Sequence, residues 1–253
     1  MKALIYRRFG PAEVLEWTPD WPEPALAPRS VLVRTAAGGV NPKDVLLRKG
    51  RFRALAREPL PRVSGLDAAG EIVAVGPEVS GFAVGDRIFG MTNRFCGGVH
   101  AEIARFLPDE IFLAPSTISL EEAACVPLAA QTALQALRDC GRIQPGHKVL
   151  INGASGGVGH FAVPIAKALG AEVHAVCGPG SVGFVESLGA DTVHNYADQP
   201  ATAIACTFDI VFDVFGKFTR RAFARQLGRR GIYVSTVPKP ATIWSEALAR
   251  LGF

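Results

Sequence analysis

The sequence predicts an α/β protein of two unlike parts. Residues 1–120 form a mainly β domain, and residues 121–253 form a domain built on a doubly wound parallel sheet. Three observations predict this. Up to residue 120, short β-branched runs alternate with Gly, Pro and Asp. Beyond it, apolar strands are separated by helical patterns of about ten residues, the rhythm of βαβ crossovers. One of those strands also runs straight into a glycine-rich turn at the mouth of a helix.

The elements follow in order. Residues 3–6, 30–36, 70–75, 87–90 and 101–104 read as strands. Turns fall at 75–78 (Val-Gly-Pro-Glu) and 84–87 (Val-Gly-Asp-Arg), where Gly permits positive φ and Pro presets a turn position. Ser119 followed by Glu121 and Glu122 marks a helix start, with acids facing the positive end of the helix dipole. Apolar spacing through Ala124, Leu128, Ala133 and Leu137 continues that helix. Strands then fall at 148–152, 172–177, 192–195, 208–214 and 232–235, with helices at 158–169, 181–188, 218–227 and after the last strand. Pro164 lies inside one helix, where the lost N–H costs about 3 kcal/mol, so a kink is expected there rather than an end.

Composition bounds the function. At 253 residues the chain holds one or two domains, and 49% apolar content with 20% charge excludes wholesale disorder. Lys plus Arg less Asp plus Glu is 27 − 23 = +4, too mild to require a nucleic-acid partner. The densest cluster, Arg220, Arg221, Arg225, Arg229 and Arg230, reads as a solvated helix face. No apolar run reaches the roughly 18 residues of a membrane span. The start shows no apolar segment of signal-peptide length, so the expected compartment is the cytoplasm. Cys96, Cys125, Cys140, Cys177 and Cys206 are too far apart for a CxxC site, and their odd number argues against a disulfide scaffold.

The turn Gly153-Ala154-Ser155-Gly156-Gly157-Val158-Gly159 follows an apolar strand and opens a helix. Gly156, lacking a Cβ, lets the backbone approach a pyrophosphate; Gly159 lets helix and strand pack closely; the helix N-terminus presents free N–H groups. Ala154 replaces the first glycine of the dinucleotide fingerprint, and a turn that merely packs is the bland alternative. Cofactor choice is set at the end of the second strand, where an acid would bind ribose hydroxyls and repel a 2′-phosphate. Here Cys177-Gly178-Pro179-Gly180-Ser181 holds no carboxylate, which favours NADPH over NADH. No Lys or Arg stands in that turn either, which leaves Ser181, backbone N–H groups and Tyr196 as the phosphate's partners.

Several motifs in fixed order carry a family resemblance. They are Gly39-Val40-Asn41-Pro42-Lys43-Asp44, then 61–70 (PRVSGLDAAG), Val84-Gly85-Asp86-Arg87, Gly97-Gly98 with Ala101-Glu102, the 153–159 turn, and Asn195-Tyr196. The chain resembles the medium-chain dehydrogenase/reductase superfamily along its whole length, and most closely its zinc-free quinone oxidoreductase and enone reductase branch. The resemblance implies a GroES-like catalytic domain followed by a Rossmann domain, with the active site in the cleft between them. It also implies that the C-terminal portion is missing, since relatives continue for several tens of residues. Such a chain would be a fragment or a truncated protein whose sheet ends on an unpaired edge. A homodimer through that sheet is possible by the same resemblance.

Zinc alcohol dehydrogenases carry Cys at the position of Asn41, and His and Glu at those of Leu66 and Asp67. Asn41 and Leu66 supply neither thiolate nor imidazole, so no metal is expected. The implied reaction is hydride transfer from NADPH to a small-molecule quinone or α,β-unsaturated carbonyl, by proximity and a prearranged polar environment. The implied cofactor residues are Asn41, Thr132, Ala154, Ser155, Gly156, Gly157, Val158, Gly159, Cys177, Gly178, Ser181, Tyr196, Phe215 and Gly216; of these, Asn41 and Thr132 fall near the nicotinamide end, Gly156–Val158 at the pyrophosphate and Gly216 at the nicotinamide ribose. Asn41 and Lys43 are the catalytic candidates. Lys43 either donates a proton to the acceptor oxygen or is a solvated turn lysine. Asp44 reads as a loop brace, and His100 either faces the cleft or fills the β domain. Two alternatives stand beside this reading: a non-catalytic nucleotide-binding relative, and an enoyl-thioester reductase.

Overall fold

The computed structural model describes residues 1–56 and 58–237, so the helix expected after residue 235 lies outside the described residues. The chain divides into two compact units, the first ending at Leu128 and the second beginning at Ala129.

The first unit is antiparallel. Strands β1 (Ala3–Tyr6), β2 (Leu15–Thr18), β3 (Val31–Ala37), β4 (Arg62–Val63), β5 (Asp67–Val75), β6 (Arg87–Met91), β7 (Ile103–Phe106) and β8 (Ile111–Leu113) form two sheets, β2-β1-β4 and β7-β3-β5-β6-β8. Alternation sets the inward face: Val31 and Val33 of β3 are fully buried against Ile72, Ile88 and Phe106. The expected strand at 101–104 starts two residues later. Ala101 makes a single bridge to Ala3, and continuous pairing with β3 begins at Ile103. Helix α1 (Pro42–Arg48) was not among the predicted elements, although its start is written in the sequence. Asn41 precedes Pro42, and the Asp44 carboxylate accepts the Asn41 N–H at 2.8 Å.

The helix expected from Ser119 through Leu137 is divided. Its start is a reciprocal cap, since Ser119 Oγ accepts from Glu122 N at 3.1 Å and Glu122 Oε2 accepts from Ser119 N at 2.8 Å. Helix α2 then ends at Ala124 (Leu120–Ala124), and α3 (Pro127–Leu134) starts on the proline. Pro127 has no N–H to give and disfavours helical geometry at Val126, so the break falls there. Six residues of π-helix, Gln135–Cys140, complete the segment.

The second unit holds a parallel five-stranded sheet, order β11-β10-β9-β12-β13, from β9 (Lys148–Asn152), β10 (Glu172–Cys177), β11 (Thr192–Asn195), β12 (Phe208–Asp213) and β13 (Leu227–Ser235). Helix α4 (Gly159–Ala168) follows β9 and continues through Pro164; α5 (Val182–Ser187) follows β10. Both faces of the sheet are covered. Val149, Ile151 and Phe212 pack with Ala162, Val163 and Ala166 of α4 on one side. Leu150, Val176 and Val211 pack with Phe208 and Phe223 on the other.

The helix expected at 218–227 is absent. One 3-10 turn, Arg220–Phe223, stands in its place. Strand pairing wins over local propensity: Phe208 N donates to Gln226 O, and Leu227 already pairs with Phe208. The five arginines of that segment are exposed, as expected, but they lie on this turn, the residues after it and β13, not on a helix face.

Strand β9 and helix α4 approach each other closely at one glycine. A Cβ on Gly159 would lie 2.0 Å from the Gly153 carbonyl oxygen. Gly159→Ala is therefore expected to destabilise the second unit by about 2–3 kcal/mol. A thermal or urea melt matching the wild type within error would contradict this packing.

Candidate functional site

The turn between β9 and α4 lies at the point where the strand order reverses, the usual ligand crevice of a doubly wound sheet. Gly153 has φ +93°, and a Cβ there would meet the Phe215 ring at 2.7 Å. Gly153 N and Ala154 N both donate to Val176 O, at 3.0 and 2.9 Å, which binds the start of the turn to the end of β10. No atom lies within 4 Å of where a Cβ on Gly157 would stand. This leaves bare backbone at the N-terminus of a ten-residue helix with no acid in its first turn. That donor set suits a diphosphate.

Beside the turn lies a cavity of about 460 Å³. Six of the expected cofactor residues line it: Ser155, Cys177, Gly178, Ser181, Tyr196 and Phe215. Ala154, buried under the turn, is not in its lining, nor are Gly156, Gly157, Val158, Gly159, Gly216 and the half-buried Thr132 of α3. Asn152, Gly153, Pro200, Ala201, Lys217 and Phe218 line it too, and none of these was among the expected cofactor residues. Lys217 was missed by the sequence reading; a cation placed just past the end of an apolar strand, as in 213–217 (DVFGK), is the signal that could have found it. Burial pushes the Cys177 thiol above its ordinary range, so it is a neutral wall and not a nucleophile.

A buried carboxylate holds this end of the sheet together. Asp213, fully buried, accepts from Asn152 Nδ2 at 2.9 Å, Phe218 N at 3.0 Å and Tyr233 Oη at 2.9 Å. It thereby joins the ends of β9, β12 and β13 to the 214–218 turn. Burial, and then the adjoining Asp213 carboxylate, push the Tyr233 hydroxyl above its usual range, so it stays a donor.

One catalytic candidate of the first unit, Asn41, is bound to a second buried carboxylate. Asp67 Oδ2 accepts from Asn41 Nδ2 at 2.9 Å, and Leu128 N reaches Oδ1 and Oδ2 at 3.2 and 3.3 Å. Burial pushes Asp67 up to about 6 despite those donors. Asp44 caps α1 as expected of a brace; burial raises it also, and its Oδ1 has no hydrogen-bond partner. Lys43 is half-buried, with its ammonium 4.9 Å from the centroid of the Phe95 ring, which meets Phe52 edge-on at 5.8 Å. The His100 ring is half-buried and bonded at both nitrogens within the first unit. Nδ1 pairs with Ser64 Oγ at 3.1 Å and Nε2 with Gly39 O at 3.0 Å, so both ring nitrogens are spent. A Cβ on Gly65 would lie 2.1 Å from its ring, which plugs the gap this glycine leaves.

Asn41, Leu66 and Asp67 offer an amide, an alkyl group and a carboxylate already engaged by two donors, a set that does not fit catalytic zinc. Among the described residues no group of three or more His, Cys, Asp or Glu side chains could hold a metal ion. Among them, too, no helix is long and apolar enough to cross a membrane.

Comparison with known proteins agrees with this architecture. Residues 27–116 match the alcohol dehydrogenase GroES-like domain, and residues 157–237 the zinc-binding dehydrogenase family. The chain is 32% identical to a chloroplast envelope quinone oxidoreductase homolog of Arabidopsis thaliana, over 99% of this chain and 79% of that protein. It is 32% identical to a 2-methylene-furan-3-one reductase of Solanum lycopersicum, over 86% of this chain and 58% of the relative. Its fold resembles the CurK enoyl reductase with a TM-score of 0.80 at 27% identity, covering 97% of this chain and 77% of that one. The chain belongs to the medium-chain dehydrogenase/reductase superfamily, in its quinone oxidoreductase branch.

Proposed function

We propose that this protein is an NADPH-dependent, zinc-free oxidoreductase that passes a hydride to a quinone or an α,β-unsaturated carbonyl. The observation that carries the reading is the environment of Asp67. Where a zinc enzyme of this superfamily needs three ligands, this chain has an amide, a leucine and a carboxylate committed to Asn41 and Leu128. Acceptors whose product anion is delocalised need no Lewis acid, which suits such a site. A reduced nicotinamide supplies the hydride when bound.

The chain's own part is to bind, orient and exclude water. The 153–159 turn and the α4 N-terminus supply N–H groups to a diphosphate. The carboxylate-free end of β10 tolerates a 2′-phosphate. Asp67 fixes the Asn41 amide, and the Phe95 ring beneath Lys43 adds apolar surface for a conjugated acceptor, with the Lys43 ammonium as donor to its oxygen. Likeness to the CurK enoyl reductase favours a second reading, reduction of an enoyl thioester.

Purified protein is expected to oxidise NADPH with simple quinones or enones, at a rate unchanged by prolonged dialysis against a chelator. Tight dinucleotide binding with no turnover on any acceptor would make it a non-catalytic relative. Faster turnover on an acyl thioester would move the assignment to the second reading.

Asp67 also gives stability a pH dependence with a definite sign. Its folded pKa of about 6 lies above the ordinary 3.8, so the folded state binds more protons than the unfolded one between those values. Its contribution is thus greatest below about pH 4, declines as pH rises to about 6, and is flat above that. The stability of the wild type relative to Asp67→Asn should fall by roughly 2–3 kcal/mol between about pH 4 and pH 7. Urea unfolding at a series of pH values tests this; parallel curves would refute a buried, proton-loving Asp67.

A further inference from the structure

We propose that Lys217 is the cation that recognises the 2′-phosphate of NADPH in this chain, acting with Ser181 and Tyr196; this rests on the dinucleotide reading above. The turn after β10, where a basic residue would ordinarily be sought, contains only Gly178, Pro179, Gly180 and Ser181. The missing charge enters from elsewhere in the fold. Lys217 lies in the turn after β12, yet it lines the same cavity as Gly178, Ser181 and Tyr196.

The charge balance of that cavity is one-sided. Its lining contains one cation, Lys217, and no carboxylate. Among the described residues no acid pairs with Lys217; its ammonium rests 6.0 Å from the centroid of its neighbour Phe218. The turn that carries it is held in place. Gly216 N donates to Asp213 O at 3.2 Å, Phe218 N to the Asp213 carboxylate at 3.0 Å, and Thr236 Oγ1 to Val214 O at 2.7 Å. An ammonium with no acid partner, lining one cavity with two hydroxyls, is a binding set for a phosphate monoester, which carries about −1.5 to −2 charges at neutral pH.

The cavity runs from the diphosphate turn, through Gly153 and Ser155, to Gly178, Ser181 and Tyr196. The diphosphate has its own donors in the 153–159 turn, whereas Gly178 and Ser181 stand past the end of the second strand, on the adenosine side. Tyr196 lies against this turn, since a Cβ on Gly178 would come within 2.8 Å of its hydroxyl. The phenol is thus beside the backbone where the ribose would rest.

The test is a binding titration of the full chain with NADPH, NADH, 2′,5′-ADP and 5′-ADP, followed by calorimetry or by reduced-nicotinamide fluorescence. Wild type should prefer NADPH to NADH and 2′,5′-ADP to 5′-ADP. Lys217→Ala should weaken NADPH and 2′,5′-ADP at least tenfold, about 1.4 kcal/mol, while NADH affinity changes less than twofold. Lys217→Arg should retain most of the preference, and Lys217→Glu should invert it. Equal weakening of NADPH and NADH by Lys217→Ala would assign the lysine to the shared diphosphate and overturn the proposal, as would unchanged affinity for both. A wild type that binds both dinucleotides equally would also overturn it while leaving the dinucleotide reading intact. A wild type that binds neither would overturn that reading as well.

Discussion

The second unit depends on one buried carboxylate. Asp213 is enclosed at the end of the central strands of a parallel sheet, and an unpaired charge there would cost several kcal/mol. Donors from a strand, a turn and a tyrosine meet it instead. Each donor fixes something the cavity needs: Asn152 the end of β9 just before the glycine turn, Phe218 N the loop bearing Phe215 and Lys217, Tyr233 the adjoining β13. The cavity walls come from segments far apart in sequence, and this carboxylate anchors those that follow β9 and β12.

The first unit repeats the device with a different balance. Asp67 also holds an asparagine, and both its oxygens reach a backbone N–H, yet its proton affinity is raised. Burial outweighs the donors, and the neighbouring Asp44 adds like-charge repulsion. The asparagine and the carboxylate tied to it form a polar brace. The glycines around it serve the same compactness: Gly38 and Gly65 make room for the His100 ring, whose nitrogens join the Ser64 hydroxyl to the Gly39 carbonyl.

Much of the fold was legible in the sequence because it rests on local periodicity. Strands at Lys148–Asn152, Glu172–Cys177 and Thr192–Asn195 have the predicted bounds; the first two are buried parallel strands, which read as largely apolar runs closed by Asn or Gly. One misreading comes from a long-range partner overriding a local preference. Residues 218–227 have helical composition, but Phe208 recruits Gln226 and Leu227 into strand pairing. The exposed arginines in that stretch are as solvated as expected, on a different backbone. The break at Pro127 was a local signal, outweighed in the reading by the apolar spacing on either side of it.

By itself the sequence determined the order of elements, the glycine turn after β9, the absence of an acid after β10, and the unsuitability of Asn41 and Leu66 as zinc ligands. Each of these follows from residue identity and near spacing. Only the tertiary structure decided that Asp67 is buried against Asn41, that His100 is consumed in bracing, and that Lys217 shares a cavity with Ser181 and Tyr196. The reason is physical. Burial, desolvation and charge balance are properties of the space that separate segments enclose, and in a doubly wound sheet that space is bounded by loops tens of residues apart, brought together by strand order.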